Sequence, residues 1–208
     1  MTIRAASPTL LVIAKEPRPG RVKTRLTPPF TPQEAAALAE AALADTLDTV
    51  ARTPARRRVL VLEGEPGPWL PSGFEVVRQC PGGLDERLAA AFAHCEGPAL
   101  LIGMDTPQVT PDLLTVDFTD CEAYFGPAED GGFWALGLAD PDPALLRGVP
   151  MSTPRTGAVQ RARLAGLRVR DLPRMRDVDT AYDAKLVAKT APDGRFATEL
   201  ARLAAAGR

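Results

Sequence analysis

The apolar residues of this chain come in short unbroken runs, and that habit restricts the fold more than any other feature. Leu10 to Ala14, Ala99 to Met104 and Phe133 to Leu138 each lack the alternation of a strand with one wet face. Continuous runs of this length belong to strands covered on both sides. Arg57 to Leu62, Phe74 to Gln79, Cys121 to Pro127 and Leu167 to Leu172 also read as strands, and helical patterns separate most of them. Strands alternating with helices predict an α/β fold in three layers. Within 208 residues there is no internal repeat and no dividing linker, so a single domain over 1–208 is expected. A chain of that size buries roughly 70% of its unfolded surface.

The most explicit helix start is Thr31-Pro32-Gln33-Glu34. Thr31 can cap, Pro32 suits the first helical position, and Glu34 can close a capping box. Ala36, Ala39, Leu43, Leu47 and Val50 then share one stripe, which predicts packing on a core. Thr110-Pro111 and Thr153-Pro154 repeat the same start, and Thr180 stands before a further helix.

A net charge of −1 gives no general attraction to nucleic acid or to a membrane. The N-terminus lacks the pattern of a signal peptide and no apolar run approaches membrane-spanning length, so a cytoplasmic protein is expected. Cys80, Cys95 and Cys121 are widely spaced, and the single His94 cannot complete a usual zinc set.

Any anion binding must therefore come from local placement, and the first loop offers it. Directly after the Leu10 strand, Lys15, Arg18, Arg21, Lys23 and Arg25 put five cations into eleven residues, against the lone acid Glu16. Pro17, Pro19 and Gly20 shape the loop. Arg offers a planar fork to phosphate oxygens and Lys a point charge, so polyphosphate fits. It is neither standard phosphate loop: Gly20 stands alone, and Val22 occupies the position before Lys23 where a P-loop needs glycine. A merely solvated basic loop is the plain alternative.

The acids complementary to such a loop lie far along the chain. Asp105 follows the ALLIGM strand, where open α/β sheets bind their ligands, and can serve as metal ligand or helix cap. Asp130 sits in Ala128-Glu129-Asp130-Gly131-Gly132, strong turn chemistry between two strands. Trp134 beside it fits core or ligand platform equally. Asp177-Val178-Asp179, if extended, points both carboxylates to one side, which suits a cation.

Several of these segments carry a resemblance. AKEPRPGRVKTRL resembles the opening signature of the bacterial DUF2064 or "glycosyltransferase A" family, GT-A-like relatives of the molybdenum-cofactor and phospholactate guanylyltransferases. GPAEDGGFWALGL and Asp177-Val178-Asp179-Thr180 resemble later family motifs, and Gly103-Met104-Asp105-Thr106-Pro107 is similar to its G-x-D-x-P. The segment from Gln79 to Leu88 resembles Q-x-x-G-D-L-G-E-R-L, with Gly83 and Asp85 departing from it.

The resemblance implies a Rossmann-related, mostly parallel mixed sheet with one reversed strand. It also implies Mg²⁺ (or Mn²⁺) on Asp105 and Asp179, with Asp179 preferred over Asp177. Lys15, Gly20, Lys23, Thr24, Arg25, Gln79 and Arg87 then belong to the nucleotide, and Lys23, Asp105 and Asp130 to catalysis. The expected function is transfer from a nucleotide donor to a small-molecule acceptor. Nucleotidyl transfer from an NTP to an anionic acceptor is favoured by the dense cations. Glycosyl transfer from a nucleotide sugar is the close alternative, and a non-catalytic nucleotide-binding or regulatory module is a third class.

Overall fold

The computed structural model describes residues 7–206. Seven strands form one sheet in the order β3-β2-β1-β4-β6-β5-β7. They are β1 Thr9–Lys15, β2 Arg57–Glu63, β3 Glu75–Arg78, β4 Ala99–Gly103, β5 Ala123–Pro127, β6 Phe133–Leu138 and β7 Val169–Asp171. All neighbours pair in parallel except β6, which runs antiparallel to both β4 and β5. The seven expected strands are all present, and the Asp-Gly-Gly turn closes the β5–β6 hairpin.

The continuous apolar runs lie on strands that are covered on both faces, as expected. Along β1, Leu10, Val12 and Ala14 join the core on one face, while Leu11 and Ile13 join the core on the other. The first face is covered by α1 (Pro32–Arg52), and α2 (Leu84–Ala93) lies on the second. At the sheet edges the burial fades: β3 and β7 are largely exposed.

Helix α1 opens with the predicted capping box, Thr31 accepting from the Glu34 amide and Glu34 accepting from Thr31. Its expected stripe faces the sheet, but a second stripe, Ala35, Leu38 and Ala42, is buried as well. That side packs against α5 (Ala181–Thr190) and α6 (Arg195–Ala206), through Val187, Phe196, Leu200 and Leu203. A helix sandwiched between sheet and helices must be slim, which explains the many alanines.

Two local expectations change. Thr110 precedes α3 (Pro111–Leu114) but its hydroxyl makes no capping bond to this single turn. Helix α4 (Thr156–Arg163) begins later than Thr153-Pro154, because the Thr153 hydroxyl accepts from the Arg155 amide in the preceding turn. Arg58, the second residue of β2, donates to the Val50 and Thr53 carbonyls and closes the α1 C-terminus.

Candidate active site

The carboxyl ends of β1 and β4 and the start of β6 border a cleft of about 630 Å³. One bank is the loop after β1. Its Val22 side chain is buried in the sheet-side core, and Leu26, in a 3-10 turn at Thr24–Leu26, is buried against α1, α5 and α6. Lys23 lies between these two anchors with a left-handed backbone, φ 49°. Anchored on both sides, the residue has little freedom to swing away, and its side chain is only 8% exposed.

Lys23 is where the distant parts of the chain meet. Its ammonium donates to the Val178 carbonyl, lies 2.7 Å from Asp105 Oδ1 and 3.6 Å from Asp179 Oδ1. The Val178 amide in turn donates to the Asp105 carbonyl at 2.9 Å. Val178 itself is buried, so its two neighbours are turned outward to the cleft. Asp177 and Asp179 therefore share a side although the segment belongs to no strand. Arg25 Nη1 pairs with Asp179 Oδ2 at 2.7 Å.

From the β5–β6 hairpin comes Asp130, whose Oδ1 accepts from the Gly132 amide at 2.7 Å. Carboxylate oxygens of Asp130, Asp177 and Asp179 all lie within 4.8 Å of one another. Burial, then the charges of Asp130 and Asp179, push the Asp177 carboxyl up to about 6. Crowded acids, two of them partly buried, resist sharing negative charge, and a bound cation relieves that resistance. The Thr106 hydroxyl, on the same cleft wall, is buried and has no hydrogen-bond partner among the described residues. An all-oxygen donor set of this kind suits Mg²⁺ or Mn²⁺.

The expected nucleotide residues divide into two groups. Lys15, Lys23, Thr24 and Arg25 line the cleft, joined by Arg21. Gly20 has φ +73° and a Cβ there would meet nothing within 4 Å, so it serves the turn, and it does not border the cleft. Gln79 is engaged elsewhere: its amide donates to the Ala14 and Val61 carbonyls, fastening the ends of neighbouring strands. Arg87 donates to Glu63 and to the Gly82 carbonyl. Burial raises Glu63, but Lys15 and Arg87 outweigh it and leave its carboxyl below the ordinary range. Neither Gln79 nor Arg87 borders the cleft.

Trp134 is core, 3% exposed, with its indole donating to the Pro173 carbonyl. His94 ends α2 at the surface, where it touches no metal-type cluster. Sequence reasoning set Asp177 second to Asp179; the fold makes them neighbours in one triad. It gave no role to Thr106, whose only sequence signal is its place beside Asp105.

A seven-stranded sheet with this order, a reversed sixth strand and acids at its carboxyl edge defines the nucleotide-diphospho-sugar transferase class of fold. A Desulfovibrio desulfuricans G20 protein assigned to that class superposes with a TM-score of 0.85 over 96% of both chains, at 25% identity. Residues 35–153 match DUF2064, an uncharacterized protein family conserved in bacteria, and the chain belongs to that family.

More distant structures share the fold. CMP:2-keto-3-deoxy-manno-octonic acid synthetase complexed with CTP gives a TM-score of 0.56 at 13% identity, over 90% of this chain and 100% of that one. Rv0371c of Mycobacterium tuberculosis H37Rv, in complex with manganese, gives 0.53 at 21% identity, over 89% and 99%. No curated protein matches the chain in sequence.

Proposed function

We propose that this protein is a divalent-cation-dependent transferase acting on a nucleotide donor, with nucleotidyl transfer from an NTP as the first reading. The observation that carries it is the meeting of Lys23 with Asp105 and Asp179 in one cleft, from three remote segments. A cation cradle and an acid cluster in mutual contact are what a metal-bound diphosphate needs on its two sides.

Asp179 is central to the donor set, flanked by Asp130 and Asp177 on one side and by Asp105 across Lys23. Mg²⁺ held there would neutralise charge on the phosphate oxygens as the leaving group departs. Lys23 pairs with Asp105 and Asp179, and phosphate oxygens of a donor would compete with these carboxylates for its ammonium. Arg21 and Arg25 border the same cleft and extend the positive bank along the donor. In the transfer, an acceptor oxygen bonds to the α-phosphorus while the bond from that phosphorus to the bridging oxygen breaks. The electron pair leaves with pyrophosphate, and Asp130, the exposed acid of the triad, takes the acceptor's proton. No Ser–His or Cys–His pair supports a covalent route, since His94 lies outside the cleft lining.

Glycosyl transfer is the second reading, favoured by the 25% identity to the Desulfovibrio protein. A thermal-shift panel of NTPs and nucleotide sugars, with and without Mg²⁺, tests the common claim. Ligand at about 100 times its dissociation constant adds ~2.7 kcal/mol, a rise of roughly 5–10 °C for a chain of this size. Pyrophosphate release identifies the first reading, nucleoside diphosphate release the second. Nucleotide binding indifferent to Mg²⁺ and without turnover would leave only a binding module.

A further inference from the structure

The two banks of the cleft differ in kind. Among the described residues, every Lys and Arg that borders it lies between residues 15 and 25, at the end of β1 and on the loop after it. The rest of the lining contributes carboxylates and an apolar wall: Ile13 of β1, Leu84 and Leu88 of α2, Phe133 of β6, and Met151 before α4. Ile13, Phe133 and Met151 are only partly buried and rest on the core cluster that contains Leu88. Leu84 is 41% exposed at the first position of α2. Of the arginines near these residues in sequence, Arg155 is exposed and Arg87 is paired with Glu63, and neither borders the cleft. The hydroxyl-bearing Ser152, Thr153 and Thr156 do border it.

We infer that the acceptor is a neutral alcohol with an apolar body, seated on Ile13, Leu84, Leu88, Phe133 and Met151 with its hydroxyl turned toward Asp130. The inference rests on the transferase reading and sharpens it, replacing the anionic acceptor expected from the cation count. The positive charge is on the donor's bank, and much of it is already paired: Lys15 with Glu63, Arg18 with Glu16, Arg25 with Asp179. Among the described residues the cations bordering the cleft are those of the donor's segment, so an anionic acceptor beside Asp130 and Asp177 would have no further cation to pair with. Apolar side chains kept half open inside a cleft with convergent polar groups are the usual mark of a binding surface. The hydroxyls of Ser152 and Thr153 can orient a neutral polar end without charge.

Saturation-transfer NMR on the full chain without nucleotide, using geraniol as the neutral probe and glycerol 3-phosphate as the anionic one, tests this. Geraniol should show saturable transfer, and Leu84→Asp and Met151→Gln should each weaken it at least tenfold. Both variants should keep the wild-type thermal shift with nucleotide and Mg²⁺, which also shows that they fold. Geraniol binding absent, or indifferent to both substitutions, overturns the inference. So does preferential binding of glycerol 3-phosphate in the cleft. A protein that binds geraniol as expected but ignores every nucleotide keeps the apolar subsite and loses its assignment as an acceptor site, so the two failures are distinguishable.

Discussion

Among single residues, Lys23 and the aspartates Asp105, Asp130, Asp177 and Asp179 define the cleft's chemistry. Asp105→Asn should remove the metal-dependent part of the thermal shift with the fold intact; an unchanged metal response would exclude Asp105 as a ligand. The side chain is 40% exposed, so its loss leaves no cavity, and Lys23 retains Asp179 and the Val178 carbonyl as partners. Asp177 gives a pH signature. Its folded-state value, about 6, lies above the ordinary carboxylate range, so the folded protein binds a proton that the unfolded chain has lost. The resulting stability is full below the unfolded value near 4 and disappears as pH rises through about 6. Asp177→Asn, measured in chelator, should therefore raise Tm at pH 8 and give no gain at pH 4. After discounting for solvent screening, the effect is on the order of 1 kcal/mol, or roughly 2–4 °C. Equal Tm differences at both pH values would refute it.

At the scale of elements, two junctions matter. The Thr31–Glu34 box begins the longest helix, and Thr31→Ala should cost about 1 kcal/mol and shift the denaturant midpoint without changing the slope. The second junction holds the β5–β6 hairpin against α4. The Gly157 amide donates to the Gly131 carbonyl at 2.7 Å, and a Cβ on Gly157 would lie 2.4 Å from the Gly132 carbonyl oxygen. Backbone on both sides cannot yield cheaply, so Gly157→Ala should push the hairpin loop away and carry Asp130 with it. Mn²⁺ affinity, measured by calorimetry, should fall at least tenfold, beyond what any loss of stability explains. Unaltered Mn²⁺ binding would show that α4 does not position Asp130.

For the whole molecule, we propose that the chain unfolds as one cooperative domain. The sheet joins the cores on its two faces, and α1 contributes to both the sheet-side core and the α5–α6 core. Heat unfolding should be a single transition with matching calorimetric and van't Hoff enthalpies. Two resolved transitions, most naturally with α5 and α6 leaving first, would show that the outer helices are a separate unit. Among the described residues no helix is long and apolar enough to cross a membrane.

Much of this fold was legible in the sequence because its signals are local. An unbroken apolar run needs two covers whatever those covers are, Thr-x-x-Glu fits one helix end, and Asp-Gly-Gly allows few turns. Cations after β1 and acids after β4 and before α5 could likewise be read residue by residue. What the sequence could not decide was pairing between remote segments. Gln79 and Arg87 match a motif, yet backbone carbonyls and Glu63 claim them; Asp177 joins Asp179 only because Val178 is buried between them. The apolar wall has no sequence signature at all, since five residues from β1, α2, β6 and one loop become a surface only when the sheet places them side by side. Local chemistry is written in short stretches of chain, whereas a cleft is made of distances between stretches, and those exist only after folding.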